Sequence, residues 1–171
     1  MSVNELVDAV LVLSVRTADC VPVLLADRAS QGVAAIHAGW RGTAAGAVQS
    51  AIDAMRAAFG TSPENIVAAV GPAIGPCCYI VGEELLSKFA GHPASSRWFS
   101  RRANGTLRLD LWQATRDQLL RAGVPAARIH VAGLCTADHP DILHSFRRDG
   151  SAAGRLIAAI RPGSPNQKRA R

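Results

Sequence analysis

The sequence predicts an α+β fold in which mixed β-sheets are flanked by helices within a single domain. The chain has 171 residues, of which 49% are hydrophobic and 19% are charged, as is typical of one globular domain with a full core. Short apolar runs alternate with amphipathic segments of helical spacing. Their order contains no internal repeat and lacks the strict strand–helix alternation of a parallel α/β fold.

Three apolar runs rich in Val, Leu and Ala predict strands over residues 9–16, 21–26 and 33–37. The apolar spacing then changes from that of a strand to that of a helix, which we predict over residues 43–59, with Gly60 as its stop. The residues that carry this helical spacing are Ala44, Val48, Ile52, Met55 and Phe59.

The second half of the chain continues the mixture. The run IVAAV at 66–70 predicts a strand, followed by the Gly/Pro-rich loop GPAIGPCCY and a short helix near 82–90. The segment LDLWQATRDQLLRAG predicts a helix with Asp110 as its N-cap, Gln113 in the capping-box position and Gly123 at its end. The runs IHVAGL and RLIAAI predict the last strands.

The net charge of +6 is concentrated at the C-terminus, because four basic residues and no acidic residue lie within 161–171. These residues are otherwise Pro, Gly and polar side chains, which predicts a disordered, solubilising tail rather than a nucleic-acid-binding arm. We therefore predict a folded domain over residues 1–160 and a basic tail over 161–171, with no nucleic-acid partner.

Targeting signals and cysteine usage predict the compartment. No apolar run approaches the roughly 18 residues of a membrane span, and the N-terminus lacks the pattern of a signal peptide. The four cysteines, Cys20, Cys77, Cys78 and Cys135, form no CxxC motif and suit reduced thiols. We expect a cytoplasmic protein without a membrane partner.

The stretch VAAIHAGWRG carries the first candidate site. His37 ends a predicted strand, and the chain turns through Gly39 and Gly42 into a helix, with Arg41 between them. An imidazole beside that helix start and a cation would suit an anion, or a metal with an anionic substrate. Alternatively, His37 is only a hydrogen-bonded histidine at a strand end. Cys20 occupies a similar turn, and a Cys–His pair is typical both of a zinc site and of a nucleophilic dyad.

Four blocks resemble a known family: TADCVPVLLAD, IHAGWRGTAAGAV, GPAIGPCCYIVGEE and CTADHPDILHSFRRDGSAAGRLI. They occur in the order of the signature blocks of the YfiH-like, or laccase-domain, family, over about residues 9–160. The resemblance implies a mainly monomeric, cytoplasmic enzyme with zinc bound by one cysteine and two histidines. It further implies phosphorolysis of adenosine, inosine and methylthioadenosine, deamination of adenosine, and, in some members, copper-dependent phenol oxidation.

By this resemblance, Cys20 and His37 match metal ligands. The other family histidine belongs to an upstream Gln-Val-His-Gly segment, and here no histidine precedes Cys20. We expect a gene start assigned too late, a fragment or a shortened member, with His139 and His144 as conceivable substitute ligands.

The reaction chemistry predicts further catalytic residues. Phosphorolysis needs a positioned phosphate, which Arg41 with Arg147 or Arg148 would hold by charge-assisted, bidentate contacts. In deamination, zinc would activate water, and Asp19 or Asp149 would transfer the proton. The plainer interpretations are a turn cap for Asp19 and a surface ion network for the RRD segment.

Substrate contacts are predicted at three positions. Tyr79 matches the family pattern and suits stacking on, or hydrogen bonding to, a nucleoside, while Trp40 and Gly42 belong to the metal loop. Ile80 stands where relatives commonly have Glu. The adjacent cysteines of the GPCC segment are expected to pack in the wall of the site and to take no part in catalysis.

Three functional hypotheses follow. The first is a zinc-dependent purine nucleoside phosphorylase with adenosine deaminase activity. The second is a metal-free Cys–His hydrolase with Cys20 as nucleophile, and the third is a truncated, non-catalytic remnant that binds a nucleoside or a partner. A copper-dependent polyphenol oxidase ranks lowest, since the sequence lacks the clustered histidines of a multicopper site.

Overall fold

A computed structural model of the chain describes residues 11–163 and confirms the α+β class with mixed sheets and flanking helices. Its strands are β1 (Leu13–Thr17), β2 (Val21–Asp27), β3 (Val33–Ala38), β4 (Ile66–Val70), β5 (Phe99–Arg101), β6 (Leu107–Leu109), β7 (Ile129–Val131) and β8 (Leu156–Ile160). Its α-helices are α1 (Trp40–Ala44), α2 (Ala47–Phe59), α3 (Glu84–Phe89), α4 (Leu111–Arg121) and α5 (Phe146–Asp149). Among residues 11–163 we find no helix with the length and apolar character that crossing a membrane requires.

The central sheet has the strand order β3-β2-β4-β7. Strand β2 is antiparallel to both β3 and β4, and β7 is parallel to β4, so the sheet is mixed as predicted. Two antiparallel ribbons, β1-β8 and β5-β6, complete the strands that the structure describes. The ribbon β1-β8 joins the two ends of the described chain, with Arg16 opposite Ile157.

The core lies between the central sheet and the helices. Strand β2 buries Val21, Val23 and Leu25 completely, because a strand inside a covered sheet loses water on its apolar positions. Helix α2 packs its buried Val48 and Ile52 into the same core cluster. The helical spacing predicted from the sequence therefore corresponds to the buried face of α2.

The predicted helix over 43–59 is divided into two helices. Gly46 has a φ of 77°, in the left-handed region, so the helical hydrogen-bond pattern is interrupted between α1 and α2. The first helix starts earlier than predicted, at Trp40, with Gly39 as its N-cap. Gly60 ends α2 in the left-handed conformation, as predicted.

The start of α4 confirms half of the predicted capping box. The Asp110 side chain accepts a hydrogen bond of 2.9 Å from the backbone N–H of Gln113. The Gln113 amide donates instead to Asp117 Oδ1 at 2.8 Å, and the backbone N–H of Asp110 donates to the carbonyl of Trp98 at 2.7 Å. In a reciprocal box the Gln113 side chain would accept from the backbone N–H of Asp110, but here that N–H donates to Trp98 instead.

Other differences concern short elements and the chain ends. Sequence periodicity did not predict the β5-β6 ribbon, because strands of three residues carry too little alternation. The strand predicted over IHVAGL ends at Val131, before Gly133 at a φ of 65°. The strand predicted over 9–16 begins at Leu13 among the described residues, while residues 9–10 and most of the predicted tail (164–171) lie outside them.

Candidate functional site

Two strand ends place Cys20 and His37 at the same rim of the central sheet. In the β2-β3 pair, Val21 lies opposite Ala38 and Pro22 lies opposite His37, so Cys20 continues the register toward Gly39. A Cβ atom on Gly39 would lie 2.7 Å from the Cys20 sulfur, which explains the glycine at this position. The two predicted metal ligands line one cavity.

The cavity has a volume of about 420 Å³ and four kinds of lining group. Its potential metal ligands are Cys20 and His37, its guanidinium groups are Arg16, Arg41, Arg147 and Arg155, its aromatic rings are Trp40, Tyr79 and Phe146, and its carboxylate is Asp19. Four cations against one carboxylate make the cavity electropositive. A volume in this range is typical of sites for small molecules.

Two of the predicted arginines lie over aromatic rings. The Arg41 guanidinium carbon is 4.3 Å from the Trp40 ring centroid, and that of Arg147 is 5.1 Å from the Tyr79 ring centroid. Arg147 also donates a hydrogen bond of 2.8 Å to the carbonyl of Ile80. These cation–π contacts orient the guanidinium groups in the cavity without neutralising their charge.

Arg16 and Arg155 are cavity residues that the sequence reasoning missed. Arg16 lies in β1 just before the TADC block, and Arg155 directly precedes β8 in the last family block. The antiparallel pairing of Thr17 with Leu156 brings them to the same end of the ribbon. Their nearness to family blocks was a usable signal, but only the pairing of distant strands places both at the cavity.

Asp19 ties together three segments around the cavity. Its Oδ1 accepts a hydrogen bond of 2.6 Å from the Thr136 hydroxyl, and its Oδ2 accepts one of 2.6 Å from the backbone N–H of Arg147. Its carbonyl accepts from the N–H of Ile74 at 2.9 Å. The residue has a φ of 87°, which is rare outside glycine. Because both carboxylate oxygens have partners, these contacts match the interpretation of Asp19 as a residue that fixes the turn.

Replacing Asp19 by alanine should lower the free energy of unfolding by about 2–3 kcal/mol, because two carboxylate acceptors are lost and alanine is unfavourable at this φ. Asp19→Asn tolerates the left-handed conformation and keeps one side-chain acceptor, so we expect about 1 kcal/mol. Urea unfolding of both variants measures the difference. Equal, small losses would contradict the role given to the carboxylate.

Arg148 and Asp149 lie outside the lining of this cavity. Arg148 donates to the carbonyls of Thr136 and Leu143, both at 2.9 Å, and forms an ion pair of 2.7 Å with Asp149. The hydrogen bond from Arg148 lowers the pKa of the Asp149 carboxyl. Their predicted catalytic roles stay predictions, and the contacts seen here are those of a network that holds a loop.

Three further predicted residues also lie outside the cavity lining. At Gly42, a Cβ atom would lie 3.3 Å from the carbonyl oxygen of His37, so this glycine permits α1 to approach β3 closely. His139 places Nδ1 2.9 Å from the carbonyl oxygen of Cys135, and the ring of His144 packs against Gly154. The structure thus does not bring His139 or His144 to Cys20 and His37.

The protonation of the cavity groups follows from burial. Burial and, to a smaller extent, the negative charge of Asp19 raise the pKa of the Cys20 thiol. Burial likewise raises the pKa of the Tyr79 hydroxyl. Both groups are therefore neutral at pH 7, and a metal ion bound to Cys20 must displace its proton.

A second group of possible metal ligands lies outside the cavity. The sulfur atoms of Cys77, Cys78 and Cys135 are all within 4.8 Å of one another, so this group can hold a metal ion. Burial and hydrogen bonds with the other thiols raise the pKa of Cys77 to about 12. Burial opposes ionisation of Cys135, but hydrogen bonds from the N–H of Gly75 and from Cys77 outweigh it and lower its pKa. Sequence spacing gave no signal for this group, because Cys135 is distant along the chain.

Another cavity, of about 300 Å³, lies beside Trp98 and Gln118. Its carboxylate, Asp117, already accepts hydrogen bonds from Trp98 Nε1 at 2.7 Å and from Gln113 at 2.8 Å. Among the described residues, its lining contains no cysteine and has two arginines, whereas the Cys20 cavity combines a cysteine and a histidine with four arginines. We therefore place the candidate active site at Cys20 and His37.

Comparisons with known proteins agree with the resemblance seen in the sequence. A family model described as "Multi-copper polyphenol oxidoreductase laccase" matches residues 7–162. A purine nucleoside phosphorylase of Bacteroides thetaiotaomicron is 41% identical over 150 residues, which cover 86% of this chain and 56% of that protein. The purine nucleoside phosphorylase YlmD of Geobacillus stearothermophilus is 37% identical over 155 residues, covering 90% of this chain and 57% of the relative.

Solved structures show the same similarity. The crystal structure of the hypothetical protein YfiH of Bacillus licheniformis superposes with a TM-score of 0.83 at 37% identity, covering 90% of this chain and 58% of that one. The Neisseria meningitidis protein NMB0706, of family DUF152, gives a TM-score of 0.81 at 37% identity, with 90% and 61% covered. The chain spans between about half and two thirds of the length of these relatives.

Proposed function

This chain belongs to the YfiH-like, laccase-domain family, and from that premise we propose that it carries the activity of a zinc-dependent purine nucleoside phosphorylase. The proposed substrates are adenosine, inosine and methylthioadenosine, with deamination of adenosine as a side activity. The observation that supports it best is one cavity that combines Cys20 and His37 with four guanidinium groups and three aromatic rings.

The aromatic rings suit the purine. Trp40 and Tyr79 each have an arginine over one ring face, at 4.3 Å and 5.1 Å from the ring centroids. This arrangement holds cations beside flat apolar surfaces, as a ligand with a heterocycle and a neighbouring anion requires. We propose that the purine contacts Trp40, Tyr79 or Phe146 while phosphate lies among the guanidinium groups.

The guanidinium groups suit phosphate. In phosphorolysis a phosphate oxygen bonds to C1′ of the ribose as the N-glycosidic bond breaks, and the purine leaves with the bond electrons and takes up a proton. Arg41 and Arg147 would hold phosphate by charge-assisted hydrogen bonds, with Arg16 and Arg155 adding positive charge. Asp19 would act as a positioning residue, because it accepts a hydrogen bond from the backbone of Arg147.

Cys20 and His37 suit zinc by the chemistry of their donors, since thiolate and imidazole are its common ligands and both face one cavity, and they would supply two of the three protein ligands that a catalytic zinc site usually has. Among the cavity residues that the structure describes, Cys20 is the one cysteine and His37 is the one histidine. The same donors accept copper. Bound zinc would supply Lewis-acid activation, including activation of water for deamination at purine C6.

The alternative of a metal-free Cys–His hydrolase receives less support. Such an enzyme needs a thiolate nucleophile, whereas burial and Asp19 raise the pKa of Cys20. A non-catalytic remnant would keep the cavity without turnover. A cytoplasmic monomer stays part of the proposal, and the four free cysteines suit a reducing compartment.

Product analysis of the purified chain with zinc and adenosine, with and without phosphate, tests the proposal. We expect adenine and ribose 1-phosphate only with phosphate, and loss of both after chelation of the metal. Free adenine without phosphate would indicate hydrolysis instead. No product, together with nucleoside binding in calorimetry, would show a binding remnant and overturn the catalytic proposal for this chain.

Replacing Arg147 by alanine should raise the KM for phosphate about 10- to 100-fold and change the KM for adenosine less, because a charge-assisted hydrogen bond contributes about 1.5–3 kcal/mol. Arg147→Lys keeps the charge and should recover part of the loss. Arg28, at the opposite end of β2, provides a matched alanine control. Equal KM increases for both substrates would contradict a phosphate-specific role.

A further inference from the structure

The three thiols of Cys77, Cys78 and Cys135 take no part in the proposed reaction. They differ in exposure, with Cys77 exposed, Cys78 half-buried and Cys135 buried, so the group can be reached from solvent on one side. The loop that carries the first two also brings Ile74 and Tyr79 to the cavity. The thiol group is thus a separate feature beside the candidate active site.

We propose that Cys77, Cys78 and Cys135 form a second metal site, which binds one thiophilic d¹⁰ ion, Cu(I), through three sulfur atoms. The proposal does not depend on the phosphorylase activity. It assigns a ligand to the adjacent cysteines of the GPCC segment, for which the sequence alone predicted only a packing role.

The spacing of the sulfur atoms is close to that of a three-coordinate site. Metal–sulfur bonds of about 2.3 Å in a trigonal plane separate the sulfurs by about 4 Å. The three sulfurs already lie within 4.8 Å of one another, so no pair needs to close by more than about 1 Å. Side-chain rotation at exposed Cys77 and half-buried Cys78 can supply this movement.

The backbone around the thiols is held in place by contacts from other elements. Cys135 forms a β-bridge with Ala73, and its sulfur accepts a hydrogen bond of 3.2 Å from the N–H of Gly75. Arg108 donates to the carbonyl of Pro76 at 3.0 Å and to that of Cys77. A site whose backbone is already ordered loses less conformational entropy when the metal binds.

The donor set favours a soft monovalent ion. Three sulfurs with no imidazole suit Cu(I), which is satisfied by three soft ligands, whereas zinc prefers four ligands and would need water or a carboxylate to complete its shell. Binding of the ion would release the protons of the thiols that ionise. The Cys20 and His37 pair, with one sulfur and one nitrogen, suits zinc better.

Competition between the chain and a coloured Cu(I)–bicinchoninate complex tests this site, with a phosphine reductant present to keep all thiols reduced. The Cys20→Ala chain keeps only the three clustered thiols, and we expect it to remove one Cu(I) per chain with unchanged affinity. Adding Cys77→Ser to this variant should weaken binding at least about tenfold, since even loss of a supporting contact costs about 10- to 100-fold. Cys77 is exposed, so this substitution should leave folding unchanged.

Two results would overturn the location of the site, and a third would overturn the identity of its ion. One is unchanged Cu(I) uptake when Cys77 and Cys78 are both replaced by serine in the Cys20→Ala background. The other is loss of all Cu(I) binding on Cys20→Ala alone, which would place the copper in the cavity. Zinc at the same concentration should fail to displace Cu(I) from the Cys20→Ala chain, and displacement would refute the assignment to a soft monovalent ion.

Discussion

On the proposed function, replacing His37 by alanine should lower kcat/KM for phosphorolysis about 100-fold or more, with loss of bound zinc. Even the loss of a supporting residue costs metal sites about 10- to 100-fold, so the loss of a direct ligand should cost at least as much. His37 is exposed at the end of β3, and surface substitutions usually change stability by less than about 0.5 kcal/mol. Product formation and metal content are measured on the same samples.

His130 supplies the matched control, because it is also an exposed strand histidine, in β7. His130→Ala should keep both the zinc content and the rate of the unchanged chain. If His37→Ala retained full activity and zinc, the cavity at Cys20 would not be the metal site. If zinc were retained while activity was lost, His37 would act on the substrate instead of the metal.

Replacing Trp98 by alanine should lower the free energy of unfolding by about 3–5 kcal/mol, because a large buried side chain leaves a cavity behind. Trp98 is 1% exposed and packs edge-to-face with the Phe89 ring at a centroid distance of 5.8 Å. Its Nε1 donates a hydrogen bond of 2.7 Å to Asp117. A loss of this size is a large part of the 5–15 kcal/mol that usually stabilises a domain.

Trp98→Phe separates packing from hydrogen bonding, because phenylalanine keeps an aromatic ring but cannot donate to Asp117. We expect a loss of about 1–3 kcal/mol, which combines the smaller ring volume with the loss of one of the two hydrogen bonds that Asp117 Oδ2 accepts, the other coming from Arg97. Chemical denaturation followed by circular dichroism measures both variants. A loss below about 1 kcal/mol for Trp98→Ala would contradict a central place for Trp98 in the core.

Local sequence signals predicted the elements that are long and regular. The strands β2, β3 and β4 and the buried face of α2 followed from apolar runs and helical spacing, since burial on one face imposes that period. Asp110 was identifiable as an N-cap because its contact is with the N–H of Gln113, three residues away. The break at Gly46 could not be predicted from the sequence, because glycine is also tolerated within helices.

The residues of the candidate site were likewise only partly predictable from the sequence. Turn chemistry and the family blocks identified six residues that the structure brings to one cavity: Cys20, His37, Trp40, Arg41, Tyr79 and Arg147. Arg148 and Asp149 carry the same charges as site residues, yet their hydrogen bonds hold a loop. Charge and motif membership alone do not indicate the direction in which a side chain points.

The sequence by itself determined the fold class, the main strands and helices, the family and the Cys20 and His37 pair, because these depend on residue types at short spacing. Only the tertiary structure decided that Arg16 and Arg155 share the cavity and that Cys135 joins Cys77 and Cys78. The reason is physical: these groups meet through strand pairing between distant segments, β1 with β8 and Ala73 with Cys135. Such pairing is set by how the whole core packs, and spacing along the chain does not encode it locally.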